Sequence, residues 1–254
     1  RQSRLVTRTI VSTDDEEIAA VARQYDAETP FLRPSEFAQD DTTDFPVFTH
    51  ALNWLEEHES YQPELIIQLR PTSPIRPPDC VDGAVQLLLD HSQADSVRGI
   101  VPSGQNPFKM WRVDEVGRMI PLLSIPELAE PFNAPRQALP QTYWQTGHID
   151  AIRRTTITQK HSLSGEVILP LHIDPRYTID IDTLKDWLRA EQLVAQGDLP
   201  MVRPGYRSPK TATGRDEREN RPLPHPVSLV VFDFDGVMTD DRVWVDQDGR
   251  ESVA

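Results

Sequence analysis

The chain has 254 residues, and its 26 Lys and Arg against 40 Asp and Glu leave a formal net charge of -14. That balance argues against nonspecific binding to nucleic acid or to an anionic membrane, which needs clustered Lys and Arg, so an anionic ligand would have to be met by local arginines. The single cysteine, Cys80, excludes an internal disulfide and a Cys-rich zinc site and fits a reducing cytoplasm, and no apolar run approaches the roughly 20 residues that span a bilayer.

Taken in chain order, residues 5–13 (LVTRTIVST) read as a strand, and Asp14-Asp15-Glu16-Glu17-Ile18 opens a helix with acidic groups where its dipole favours them. Residues 44–59 carry Phe45, Phe48, Ala51, Leu52 and Leu55 at helical spacing, which predicts an amphipathic helix. A strand over 64–69 follows, then a helix from Pro78-Asp79 to about Leu89 with Cys80 packing at its start, then a short strand over Asp95 to Val101. This β-α-β-α order implies an α/β fold with a mostly parallel sheet and helices on both faces.

Residues 102–148 read as irregular and Pro-rich, 151–173 as strands or a hairpin, and Asp182 to about Gln196 as a strong amphipathic helix. Residues 200–226 combine prolines with the charged run Arg215 to Arg221 and too little apolar surface to pack, so they read as an interdomain linker. A new hydrophobic strand, residues 227–232 (VSLVVF), ends at Asp233 and predicts a second domain over 227–254. The domains expected are therefore 1–199, a linker over 200–226, and the start of another unit. The start at Arg1 rather than Met and the stop at Ala254 in mid-pattern suggest a piece of a longer reading frame.

Two segments carry candidate chemistry. In Ile66-Ile67-Gln68-Leu69-Arg70-Pro71-Thr72-Ser73-Pro74-Ile75-Arg76 a buried strand runs into a loop with hydroxyls and two guanidinium groups. The C-terminal ends of strands are where open α/β sheets bind ligands, and arginine forks fit phosphate or carboxylate oxygens. The same residues also fit a plain X-Pro turn whose arginines are solvated. In Thr178-Ile179-Asp180-Ile181-Asp182 an extended backbone would point Asp180 and Asp182 to one side, a magnesium arrangement completed by water and substrate phosphates, unless Asp182 merely caps the following helix. His148, His161 and His172 lack a close metal-ligand spacing and read as packing or surface residues.

Further landmarks keep a fixed order with these: Leu32-Arg33-Pro34-Ser35-Glu36, then Asp40, Thr42 and His50-Ala51-Leu52, and later Lys109, Pro135-Arg136-Gln137-Ala138-Leu139-Pro140 and Gly147. Over residues 1–197 the chain resembles the acylneuraminate cytidylyltransferases. The resemblance implies a Rossmann-like nucleotidyltransferase sheet and transfer of CMP from CTP to a nonulosonic (sialic-type) acid with release of pyrophosphate. It implies that Asp180 and Asp182 hold Mg2+, that Arg33 lies on the nucleotide side and that Asp44 sits in the loop approaching the nucleotide. Trp144, close in sequence to Arg136 and Gly147, itself reads as a core or pocket-wall aromatic that could touch a sugar; by the resemblance, Arg70, Thr72, Ser73, Lys109, Arg136 and Gln137 would line the sugar and phosphate pocket with Gly147. The resemblance also implies a homodimer, with 151–173 matching the family's protruding dimerisation element.

Two departures matter. Arg70 stands where the family's sialic-acid enzymes have Gln, which brings legionaminic- and pseudaminic-type acids into competition with sialic acid. The family's opening strand and Gly-rich phosphate loop are expected before residue 1, and a chain without that loop is expected to bind CTP poorly. At the other end, Val230-Val231-Phe232-Asp233-Phe234-Asp235-Gly236 resembles the first motif of haloacid dehalogenase-like phosphatases, which implies Asp233 as nucleophile, Asp235 as acid/base and both as magnesium ligands. The competing functions are a cytidylyltransferase for another sugar acid such as Kdo, and a noncatalytic scaffold for the phosphatase-like domain.

Overall fold

A computed structural model describes residues 3–39 and 41–201, and the backbone of Val230–Asp233, Val243–Val245 and Glu251–Val253. Asp40, Asp235 and nearly all of the expected linker lie outside the described residues. The chain divides into a first unit of residues 1–99 and 146–254 and a second of 100–145.

The elements in order are β1 (Thr9–Ser12), α1 (Glu16–Gln24), α2 (Asp44–Glu59), β2 (Leu65–Leu69), α3 (Cys80–Asp90), β3 (Ser96–Pro102), β4 (Trp111–Val113), β5 (Met119–Pro121), β6 (Tyr143–Arg153), α4 (Arg154–Thr158), β7 (Ile168–His172), α5 (Leu184–Gln196), β8 (Val230–Asp233), β9 (Val243–Val245) and β10 (Glu251–Val253). The main sheet has the order β1-β8-β2-β6-β3-β7. β1, β8 and β2 are parallel, whereas β6 runs antiparallel to β2, so the sheet is mixed rather than mostly parallel. The strand expected to open a separate domain thus pairs on both sides within this sheet. Its neighbouring residues lie outside the described ones, and a second domain there remains a reading of the sequence motif.

Local chemistry explains the well-formed elements. β2 (LIIQL) is buried at every position, as a central strand covered on both faces should be. The apolar stripe of α2 puts Phe48, Ala51, Leu52 and Leu55 into a core with Ile10, Ile66, Ile152 and Ile157. Asp15 caps α1 by accepting from the amides of Glu17 and Ile18, and Thr183 with Asp186 forms a capping box on α5, which ends at Gly197 with a φ of 72°. Cys80 is buried at the first turn of α3 as expected, and burial pushes its thiol up to about 11.

Most of 102–148 is irregular, as expected, with one departure. This stretch holds the β4–β5 hairpin and the start of β6, whose Gly147, His148 and Asp150 break the apolar pattern by which a strand is recognised. Residues 151–173 hold the end of β6, the short α4 and β7 at the sheet edge rather than a simple hairpin.

The loop between α4 and β7 is fastened by one carboxylate. Asp95 is buried and accepts from Lys160 Nζ at 2.7 Å and from the amides of Glu166 and Val167 at 2.8 and 3.1 Å. The Lys160 contact, followed by these amides, holds Asp95 down to about 2 against the opposing effect of burial. Because the folded value lies below the unfolded one, the stabilisation is complete above about pH 4 and is lost as pH falls toward about 2. Urea unfolding of the wild type and of Asp95→Asn should therefore differ most near neutrality and converge across that acid window; a gap independent of pH would contradict the assignment.

Candidate functional site

The site is built where β2 ends. After Leu69 the chain turns, with the Ser73 amide donating to the Arg70 carbonyl at 3.2 Å, and the Arg70 amide donates to Gly147 O of β6 at 3.3 Å. A Cβ on Gly147 would lie 2.5 Å from Ser73 Oγ and 3.2 and 3.3 Å from Arg70 Cδ and Cβ, so only glycine lets the loop lie this close to β6. Arg76 stands beneath the turn. Its Nε donates to His148 O at 2.7 Å and its Nη2 donates to Arg70 O. Burial lowers this guanidinium to about 10.

The second segment arrives from the far side. The Ile181 amide donates to the Thr72 carbonyl at 2.8 Å, the Ile179 amide bonds to Tyr177 O, and Ser73 Oγ lies 3.4 Å from Asp180 Oδ1. Residues 179–182 belong to no strand, but burial alternates from the buried Ile179 through the exposed Asp180 and half-buried Ile181 to the exposed Asp182, as in a segment that sends both carboxylates to one side. The cap alternative for Asp182 fails, because Thr183 is the N-cap of α5. Both carboxylates are exposed. The buried His148 donates from Nε2 to Tyr177 O at 2.9 Å, and burial lowers its pKa.

Asp44, the first residue of α2, completes the group. Its Oδ2 accepts from Arg70 Nη2 at 2.8 Å and from Gln68 Nε2 at 3.0 Å. Gln68, the one polar residue of β2, is buried and pairs in register with the buried Asp150 of β6. Arg98 Nε is 3.7 Å from that carboxylate, which burial nevertheless pushes up.

Of the residues expected at a site, Asp44, Arg70, Thr72, Ser73, Gly147 and Asp180 are thus joined by direct contacts, with Asp182 two positions on. Arg33 is buried, its amide bonds to Thr13 O at 2.8 Å, and its charge helps, after burial, to lower His50. Lys109, Arg136 and Gln137 lie in the second unit. There Lys109 Nζ donates to Phe132 O and Ala134 O at 3.1 and 2.7 Å, and Arg136 donates to Ser103 O and Gly104 O at 3.0 and 2.8 Å beside a cavity of about 170 Å³. Trp144, also in that unit, is more than half exposed. The backbone of Asp233 belongs to β8, and Asp235 lies outside the described residues.

Arg76 requires correction: expected as a second anion fork, it holds the loop from below through backbone carbonyls. Sequence reasoning missed Gln68, Asp150 and Arg98. The signal available was a lone polar residue inside an otherwise apolar strand. A cavity of about 400 Å³ along α2, walled by Phe37, Phe45, His50 and Trp54, holds none of the expected site residues.

The donor set suits a hard cation. Two exposed carboxylates beside a hydroxyl fit Mg2+, which takes one or two carboxylates and leaves positions for water and phosphate oxygens. Among the described residues no three His, Cys, Asp or Glu side chains gather as a complete metal cage.

No family model matches the chain. It is 28% identical to post-translational flagellin modification protein B of Campylobacter coli over 78% of this chain and 82% of that protein. It is also 28% identical to the CMP-N,N'-diacetyllegionaminic acid synthase of Legionella pneumophila, over 79% of this chain and 84% of that one. N-acylneuraminate cytidylyltransferase A of Danio rerio is 25% identical over 96% of this chain and half of its own length. Among solved structures, CMP:2-keto-3-deoxy-manno-octonic acid synthetase complexed with CTP superposes with a TM-score of 0.52 at 16% identity, covering 77% of this chain and 84% of that one. This likeness establishes a Rossmann-like nucleotidyltransferase fold.

Proposed function

We propose that this chain is a cytidylyltransferase of the acylneuraminate type, which transfers CMP from CTP to a nonulosonic acid and releases pyrophosphate. The observation that carries the reading is the convergence of Arg70, Ser73, Asp44, Gly147 and Asp180 at the C-terminal end of β2, in a chain similar along most of its length to such synthases. In this reaction the anomeric hydroxyl of the acid attacks the α-phosphorus in line, a new P–O bond forms, and the bond to pyrophosphate breaks. The protein's part is positioning and charge stabilisation.

Each residue then has a role in keeping with its chemistry. Asp180 and Asp182 would hold Mg2+, which would supply charge neutralisation to the triphosphate. Arg70 meets the sugar carboxylate, with the Thr72 and Ser73 hydroxyls beside it. Arg33 serves the nucleotide side, and roles for Lys109, Arg136 and Gln137 on the sugar and phosphates rest on the resemblance alone. The test is pyrophosphate release by protein expressed from its complete reading frame, given CTP, Mg2+ and a panel of legionaminic, pseudaminic, sialic and Kdo acids. Release with a nonulosonic acid is expected; release with Kdo alone would favour the other sugar acid, and none with any acid would overturn the reading in favour of a scaffold.

The further parts of the proposal are a homo-oligomer and a cytoplasmic location. Exposed Met110, Trp111, Val113, Met119, Leu122 and Leu123 give the second unit an apolar run suited to contact with another copy, a larger one than 151–173 offers. Sedimentation should give a mass above that of one chain, and replacing Val113 and Met119 by Lys should lower it. No helix among the described residues is long and apolar enough to cross a membrane. The phosphatase-like roles of Asp233 and Asp235 rest on their motif alone.

A further inference from the structure

We infer that Asp44 is a positioning residue for Arg70, and that through Arg70 it sets which acceptor acid the site accepts; this rests on the cytidylyltransferase reading above. The argument starts from β2. Gln68 is buried in the middle of the sheet and cannot move without disturbing the core, and its Nε2 donates to Asp44 Oδ2 at 3.0 Å. That bond fixes one oxygen of a carboxylate at the first turn of α2, where the helix dipole favours an anion. The same oxygen accepts from Arg70 Nη2 at 2.8 Å.

An arginine side chain has many rotamers, so a guanidinium aimed from a loop must be held if it is to discriminate between ligands. Here two surfaces hold it. The stem lies against Gly147, at the van der Waals limit of a hypothetical Cβ, and one end of the fork is held by Asp44. The Arg70 side chain nevertheless remains 42% exposed. A guanidinium has five N–H donors in a planar fork, so engagement with one carboxylate leaves others for a ligand.

The consequence is a division of labour across 26 positions of sequence. Arg70 supplies the contact and Asp44 supplies its direction. Loss of Asp44 leaves Arg70 in place, with its charge, but free to sample other rotamers. Acids differing in the substituents around the carboxylate should then be distinguished less well, because discrimination by a polar contact depends on its geometry. Asp44 also lowers the net positive charge that the acid meets, so its removal does not act simply as a loss of attraction.

The experiment compares wild type, Asp44→Ala, Asp44→Asn, Arg70→Ala and the Asp44→Ala/Arg70→Ala double variant in full-length protein. KM and kcat are measured for each acid that supports pyrophosphate release, with CTP affinity and thermal midpoints measured alongside. Asp44→Ala should raise KM for the preferred acid about tenfold and compress the ratio of kcat/KM between acids, with CTP affinity within about twofold of wild type. Asp44→Asn, which keeps one acceptor oxygen, should recover part of the loss. The double variant should be no worse than Arg70→Ala alone. An unchanged acid preference in Asp44→Ala, or losses that multiply in the double variant, would overturn the assignment, as would a fall in CTP affinity equal to that for the acid. If the wild type releases no pyrophosphate with any acid, the reading beneath it fails instead.

Discussion

Replacing Asp180 and Asp182 together by Asn is expected to lower pyrophosphate release from CTP by at least about a hundredfold while leaving the fold intact. The expectation has two physical halves. Both carboxylates are exposed and neither supports the helix that follows, since Thr183 and Asp186 cap α5 between themselves. Removing two negative charges therefore costs the folded protein little. The loss falls on the triphosphate, whose charge would have to be met without its cation. As a control, Thr183→Ala should cost about 1 kcal/mol of stability through the lost cap, with turnover little changed. An Asn pair that turned over at the wild-type rate would remove the metal assignment, and a pair that unfolded would mean that these carboxylates hold the structure. Titration with Mg2+ separates the cases further, because a weakened site should respond to higher metal concentrations.

Gly147→Ala should harm both stability and turnover. The added methyl would fall 2.5 Å from Ser73 Oγ, and Ser73 is buried, so the hydroxyl has to rotate away from Asp180 or the loop has to lift from β6. Arg70 lies on the other side of the same methyl at 3.2 and 3.3 Å and must give as well. Overpacking of this kind costs roughly 1–3 kcal/mol. A displacement of about 1 Å in groups that position a substrate can cost on the order of a hundredfold in rate. Urea unfolding and steady-state kinetics on the same preparation measure the two effects. A variant with normal stability and normal turnover would show that the contact between loop and strand has no part in the site.

Much of this architecture can be read along the chain. The helices at 16–24, 44–59 and 184–196 announce themselves through acidic first turns, a capping pair and apolar residues at helical spacing, all of which are local. β2 is equally plain as an apolar run. β6 is hidden because Gly147, His148 and Asp150 interrupt its apolar pattern for reasons that appear only once β2 and the loop after it lie alongside. Its antiparallel direction was not legible either, since alternation of strand and helix predicts parallel neighbours. At the site, residue types were legible but partnerships were not. The Asp44 carboxylate is bound to Arg70 and Gln68, and its contact with Arg70, across 26 residues, is one that no local pattern encodes. Arg76 looked like Arg70's twin and differs from it only in what surrounds it.

That surrounding gives Arg76 a further consequence. Its recorded partners are backbone carbonyls, and among the described residues no carboxylate lies within ion-pair distance of it. Even with its pKa lowered to about 10, it remains protonated at neutral pH. The loop therefore sits over a fixed positive charge with no carboxylate partner among the described residues, in a chain whose overall charge is -14. Mobile salt screens exposed charges within about 10 Å at 0.1 M but acts weakly on buried ones. Attraction of an anion to this loop should accordingly persist at ionic strengths that abolish binding to surface lysines, giving an acidic protein a local, salt-tolerant hold on an acidic substrate.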